Sequence, residues 1–237
     1  MHLVFVGAHP DDETSAGGTI AKHVDRGHEA TIVVATRGGR GHWSTPSDEL
    51  ERVRTGEMER AAEILGANLM FLDYVDADIP AGDALRDELV DVVRRLKPDV
   101  IITFHPLVWR DDHRRVGLAA ADACFKACLP LLETGHPAHR PVPDIYFIGE
   151  PMVPVEPDTY IDITGYMDVK IEALKQHASQ WVRWEIDEDD STATLDEVVE
   201  SVRYRARQRG LESGVAYAEA FISQHGRKRA LDLFPRR

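Results

Sequence analysis

Leu3-Val4-Phe5-Val6-Gly7-Ala8-His9-Pro10-Asp11-Asp12-Glu13 is the stretch on which the reading of this chain turns. Leu3 to Val6 is an apolar, partly β-branched run of the kind that forms a buried strand. Thr14-Ser15-Ala16-Gly17-Gly18-Thr19-Ile20-Ala21 then opens a helix. One imidazole and three carboxylates are therefore crowded at the carboxyl end of a strand. Neighbouring like charges resist joint ionisation, and buried charge is costly unless paired or bound to a metal. A divalent cation relieves both penalties. His9 and Asp12 suit zinc, which takes imidazole nitrogen and carboxylate oxygen at about 2.0–2.2 Å. Asp11 is then left to handle water at the metal. The plainer reading, that Asp11 and Asp12 cap a helix and complement its dipole, leaves His9 unexplained.

A matching cluster follows about a hundred residues on, at Val100-Ile101-Ile102-Thr103-Phe104-His105-Pro106-Leu107-Val108-Trp109-Arg110-Asp111-Asp112-His113. A second β-branched strand again ends in polar groups. A catalytic zinc with one open position needs three protein ligands, and His113 is the candidate for the third. Asp112 is placed to orient a ligand or another catalytic group.

Between and beyond these clusters, apolar runs alternate with amphipathic stretches. Strands are expected near 3–8, 30–36, 69–73, 99–105, 144–149 and 159–163. Helices are expected near 14–27, 48–66, 83–97, 113–129, 166–182 and 192–208. The alternation predicts a single α/β domain over 1–237: a Rossmann-like, doubly wound, mostly parallel sheet with helices on both faces. In the common order 3-2-1-4-5 the first and fourth strands are neighbours at the topological switch point. Ligands bind there, beyond the carboxyl ends of the strands.

The motifs resemble those of the LmbE / PIG-L family of zinc-dependent N-deacetylases. The family's Ala-His-Pro-Asp-Asp-Glu signature stands here as Ala8 to Glu13, followed by Gly17-Gly18. Weaker similarities run through Arg54-Thr55-Gly56-Glu57, through Asp162 with Lys170, His177, Ser179 and Gln180, and through Tyr217-Ala218-Glu219-Ala220-Phe221. The resemblance implies removal of an N-acetyl group from an amino sugar or its conjugate, releasing acetate and a free amine. It implies one zinc on His9, Asp12 and His113, with Asp11 as general base. It also implies that Arg54 and Asp76 hold sugar hydroxyls, and that the chain assembles as a trimer or hexamer. The chain departs from the family at one point. Where the family reads His-Pro-Asp-His, this chain reads Arg110-Asp111-Asp112-His113. Arg110 can stabilise an oxyanion but cannot shuttle a proton near neutral pH. His105, eight residues before His113, is the other group expected to face substrate and to replace the missing His. Alternatives are an amidase for a larger N-acyl or thiol conjugate, or a metal-binding homologue with impaired catalysis.

The rest of the composition is consistent with this reading. The 237 residues are 43% hydrophobic and 29% charged, enough for a sizeable core. A net charge of −13 argues against a nucleic-acid partner. No apolar run reaches the roughly eighteen residues of a membrane helix, and a cytoplasmic location is expected. Thr36-Arg37-Gly38-Gly39-Arg40-Gly41-His42-Trp43 lacks the spacing of a phosphate loop and reads as an active-site rim. Cys124 and Cys128 read as buried thiols, His136 and His139 as part of a solvated Pro-rich loop over 130–143, and Glu185–Asp190 as an exposed acidic loop.

Overall fold

The computed structural model describes residues 1–80, 82–181, 194–224 and 229–231. Its first half is a succession of βα units: β1 (His2–Gly7), α1 (Gly17–Asp25), β2 (Glu29–Thr36), α2 (Ser47–Leu65), β3 (Asn68–Tyr74), α3 (Asp83–Leu96), β4 (Val100–Phe104) and α4 (Asp111–Lys126). There follow β5 (Asp144–Ile148), β6 (Thr159–Asp162), α5 (Met167–Lys175), α6 (Ala178–Trp181), α7 (Leu195–Ser213), β7 (Ala218–Ser223) and β8 (Arg229–Leu231). The sheet order is β3-β2-β1-β4-β5-β7-β6-β8. The first five strands run parallel in the expected 3-2-1-4-5 order. β7, which the sequence did not announce, is inserted antiparallel between β5 and β6.

β1 shows why this sheet reads as continuous apolar sequence. Side chains alternate across a strand, yet both faces of this one are covered. Leu3 and Phe5 join a core with Ile20, Ile32, Met58 and Ile102. Val4 and Val6 join the opposite core with Val33, Leu89, Ile101 and Val116. The register pairs Leu3 with Val100 and Val6 with Thr103, so the carboxyl ends of β1 and β4 lie side by side. Among the described residues, no helix is long and apolar enough to cross a membrane. Cys124 and Cys128 are free and buried.

Two helical expectations needed adjustment. The helix expected over 166–182 breaks after α5, where His177 turns into the interior and α6 restarts the chain. α7 begins at a capping box, in which Thr194 accepts from the Glu197 amide and the Glu197 side chain accepts from the Thr194 amide. Its expected start at 192, like the acidic run Glu185–Asp190, lies outside the described residues.

α4 is pressed onto the end of β4. A Cβ on Gly117 would stand 2.1 Å from the Phe104 carbonyl oxygen, so no other residue fits without moving helix or strand. Gly117→Ala is expected to cost about 1–3 kcal/mol. That lowers Tm by roughly 2–12 °C for a chain of this size, as scanning calorimetry would read. A Tm equal to wild type would show that the approach is looser than described.

Candidate active site

The turn after β1 separates two adjacent carboxylates. The Ala8 and His9 amides donate to Asp12 Oδ2 at 2.7 and 2.8 Å, folding the Asp12 side chain back over the strand end. Asp11 takes a left-handed backbone conformation, φ 110° and ψ −20°, rare for a residue with a Cβ. Asp11 and Asp12 therefore do not share one orientation. A short 3-10 turn, Asp12–Ala16, then leads into α1.

Across the gap, the first turn of α4 supplies Asp112 and His113. Phe104, the last residue of β4, stacks on the His113 ring with centroids 3.8 Å apart. His9 Nδ1 lies 3.2 Å from His113 Nε2. His113 Nε2 lies 3.3 Å from Asp12 Oδ1, and His9 Nδ1 lies 3.9 Å from Asp12 Oδ2. Ligands about 2.0–2.1 Å from a tetrahedral zinc stand roughly 3.3 Å apart. The donor set thus has both the chemistry and the span of such a site. Among the described residues, two groups of three potential ligands occur, His9/Asp12/His113 and His9/Asp76/Asp112, and both include His9.

The two groups use opposite sides of one ring. His9 Nε2 faces Asp76 Oδ1 at 3.0 Å and Asp112 Oδ2 at 3.2 Å. A proton on Nε2 satisfies those carboxylates and leaves the Nδ1 lone pair toward Asp12 and His113, the usual arrangement behind a metal-binding histidine. The electrostatics follow. Burial disfavours a charged His9, yet Asp112, Asp76 and Asp12 push its pKa up to about 10. Burial raises Asp11 to about 6, with Asp12 adding to the rise and the Arg54 guanidinium opposing it. Burial would raise Asp12 too, but His113 and His9 hold it below the usual carboxylate range. Such a concentration of carboxylates around two imidazoles suits a bound cation.

The structure gives several expected site residues other work. Arg54 and Asp76, expected on sugar hydroxyls, are 3% and 5% exposed and committed to the protein. Arg54 donates to the carbonyls of Gly38 and Pro10 and stands 3.4 Å from Asp11 Oδ1. Asp76 holds His9 through one oxygen and the Arg40 amide, at 2.7 Å, through the other. Asp112 shares Oδ2 between His9 and the Ala77 amide, while its buried Oδ1 has no partner among the described residues. Arg110, at the N-cap of α4, is exposed, with its guanidinium carbon 5.3 Å from the centroid of the Trp109 ring. It forms no ion pair among the described residues; Asp111 pairs instead with Arg115. His105 accepts from the Leu107 amide through Nδ1 and meets Phe147 edge-on. Of the two histidines in the 130–143 loop, His136 lies on Asp91 and His139 on the Pro98 carbonyl.

The weaker motifs turn out to be the site's scaffold. Glu57, one turn beyond Arg54 on α2, accepts from the Ser179 amide and hydroxyl at 2.8 and 2.7 Å. Glu219 of β7 accepts from the Gly18 and Thr19 amides at the start of α1 and is paired with buried Lys170. Glu13 meets His177 at 2.7 Å, both almost wholly buried. Burial opposes a charge on His177, but Glu13, with Asp11 and Glu57 behind it, raises its pKa. All of these residues stand in the sequence motifs, which by themselves assign them no partners. A run of buried-type motifs carrying unpaired charges was the available signal that they pair with one another.

The comparisons with known proteins agree with this geometry. A family model described as PIG-L, GlcNAc-PI de-N-acetylase, matches residues 4–124, which carry both halves of the site. A diacetylchitobiose deacetylase of Thermococcus kodakarensis is 30% identical over 201 residues, covering 77% of this chain and 73% of the relative. A 4-oxalmesaconate hydratase of Pseudomonas putida is 32% identical over 198 residues, covering 77% and 75%. Among solved structures, N,N'-diacetylchitobiose deacetylase from Pyrococcus horikoshii, complexed with its inhibitor MPG, superposes with a TM-score of 0.80. It is 28% identical and covers 95% of this chain and 84% of that one. With its βα architecture, its Ala8–Glu13 turn and its match from strand β1 into helix α4, this chain belongs to the PIG-L family.

Proposed function

We propose that the protein is a zinc-dependent N-deacetylase that releases acetate from an N-acetylated amino sugar or its conjugate. The observation that carries the reading is the three-donor set of His9, Asp12 and His113 with Asp11 beside it, outside the set. Zinc held there would act as a Lewis acid toward the acetamide carbonyl and make water easier to deprotonate.

The chain's own groups do the remaining work. Asp11 takes a proton from the attacking water as it adds to the carbonyl carbon. Asp76 and Asp112 keep the His9 ring in one tautomer and orientation. Arg110, without a carboxylate partner among the described residues, donates to the oxygen that becomes negative. Asp11 then returns its proton to the departing nitrogen, the C–N bond breaks, and acetate and amine leave. His105 lies at the end of the neighbouring strand and is the alternative donor to the oxyanion. The hydratase relative also adds water to an electrophilic carbon, so water activation is the chemistry common to both. The family model and the first relative favour the amide.

The direct test is acetate and amine release from N-acetylglucosamine and N,N'-diacetylchitobiose, before and after chelation and after zinc is restored. Activity that survives complete metal removal would overturn the reading. Arg110→Ala is expected to lower kcat by about 10²-fold, the usual cost of losing one oxyanion donor, with KM and metal content unchanged. Normal turnover in that variant passes the role to His105. The reading extends to self-association as a trimer or hexamer, with the 130–143 segment against a neighbour; light scattering of a monomer at micromolar concentration would end it.

A further inference from the structure

We propose that Glu13 is a positioning residue for the general base: it holds Asp11 in its left-handed backbone conformation and is itself held by His177. The proposal rests on the reading of Asp11 as base. Asp11 at φ 110° is a strained position for a non-glycine residue, worth on the order of 1–3 kcal/mol, and such strain persists only where the surroundings over-determine it.

The surroundings here can be named. Glu13 reaches back two residues, and its Oε2 accepts from the Asp11 amide at 3.1 Å. Thr14 donates to the Asp11 carbonyl from both its amide and its hydroxyl, at 3.1 and 2.7 Å. Arg54 binds the Pro10 carbonyl on the other side of the strained residue. Of these groups, only Glu13 holds the Asp11 N–H. Its second oxygen is fixed by His177 Nε2 at 2.7 Å, from an element 164 residues further along the chain.

His177 sits at the break between α5 and α6, and that break lets its ring enter the interior. The next turn is tied to α2 through Ser179 and Glu57. The docking of the C-terminal segment therefore sets the conformation of a turn at the catalytic centre. Asp12, whose carboxylate is fixed separately by the Ala8 and His9 amides, does not depend on this chain of contacts. Loss of Glu13 should therefore misplace the base and leave the metal ligands in position.

Three variants and a cycle test this, using deacetylation of N,N'-diacetylchitobiose by the full chain. Glu13→Ala is expected to lower kcat about 10²-fold, the cost of an ångström-scale misplacement, with KM and bound zinc unchanged. Glu13→Gln keeps an acceptor oxygen for the Asp11 N–H and is expected to stay within about threefold of wild type. In an Asp11→Asn background, Glu13→Ala should cause no further loss, because the two residues act as one unit. If Glu13→Ala does not fold, Glu13→Leu with His177→Leu, which replaces the buried pair by apolar groups, is measured in its place. Wild-type kcat without Glu13, a loss that tracks lost zinc, an equal loss in the Asp11→Asn background, or a Gln variant as impaired as Ala would each overturn the proposal. Normal turnover by Asp11→Asn alone would instead overturn the base reading beneath it.

Discussion

Asp11→Asn is expected to bind a full complement of zinc and to lose about 10³-fold in kcat, within the 10²–10⁴ that a general base contributes. The substitution is nearly isosteric. It preserves the left-handed turn, because the backbone bonds that hold Asp11 go to its amide and carbonyl and not to its carboxylate. It removes the carboxylate proposed to accept the proton of the attacking water. It also removes the charge facing Arg54 at 3.4 Å, a charge that burial already disfavours, so no loss of stability is expected to accompany the change. Metal analysis and a deacetylation progress curve on the same preparation separate the outcomes. A variant that loses its zinc would make Asp11 a ligand, and one that turns over normally would leave the chain without an identified base.

His113→Ala should have an equally large effect by a different route. It deletes one of the three proposed ligands, so both zinc content and activity should fall together. The loss should exceed the roughly 10–100-fold expected on removing an outer carboxylate that only orients a ligand. Asp76→Asn, which leaves all three ligand atoms in place and weakens only the hold on His9 Nε2, is the matched comparison. The His113 ring is also packed against Phe104, so circular dichroism must accompany the metal measurement. A folded His113→Ala protein with undiminished zinc would remove His113 from the site. Asp76→Asn and His113→Ala with equal effects would mean that the Asp76 carboxylate behind His9 matters as much as a ligand.

The different legibility of these residues in the sequence has a physical origin. His9, Asp12 and His113 could be read because each follows a strand whose apolar run is unmistakable. Parallel βα units also carry the carboxyl ends of β1 and β4 to the same place. The protein partners of Arg54 and Asp76 could not be read, because their types suit a sugar as well as they suit a backbone carbonyl or an imidazole. What decides between those partners is burial, which depends on how the 36–45 loop and α2 pack. Arg110 was legible as a departure from the family pattern, but its freedom from Asp111 and Asp112 appeared only when Arg115 was seen to take the first and His9 the second.

The amino-acid sequence by itself determined the parallel core, its 3-2-1-4-5 order and the two chemical clusters at the switch point. Those features rest on local periodicity and on short connections that leave few topologies open. Tertiary structure alone decided the antiparallel entry of β7 beside β5 and the break of the expected 166–182 helix at His177. It alone decided the pairing of Glu13 with His177, of Glu57 with Ser179 and of Glu219 with Lys170 and α1. Each of those contacts joins residues 49 to 201 positions apart. No local pattern encodes them; a buried charge must find a partner, and the packed fold determines which one is within reach.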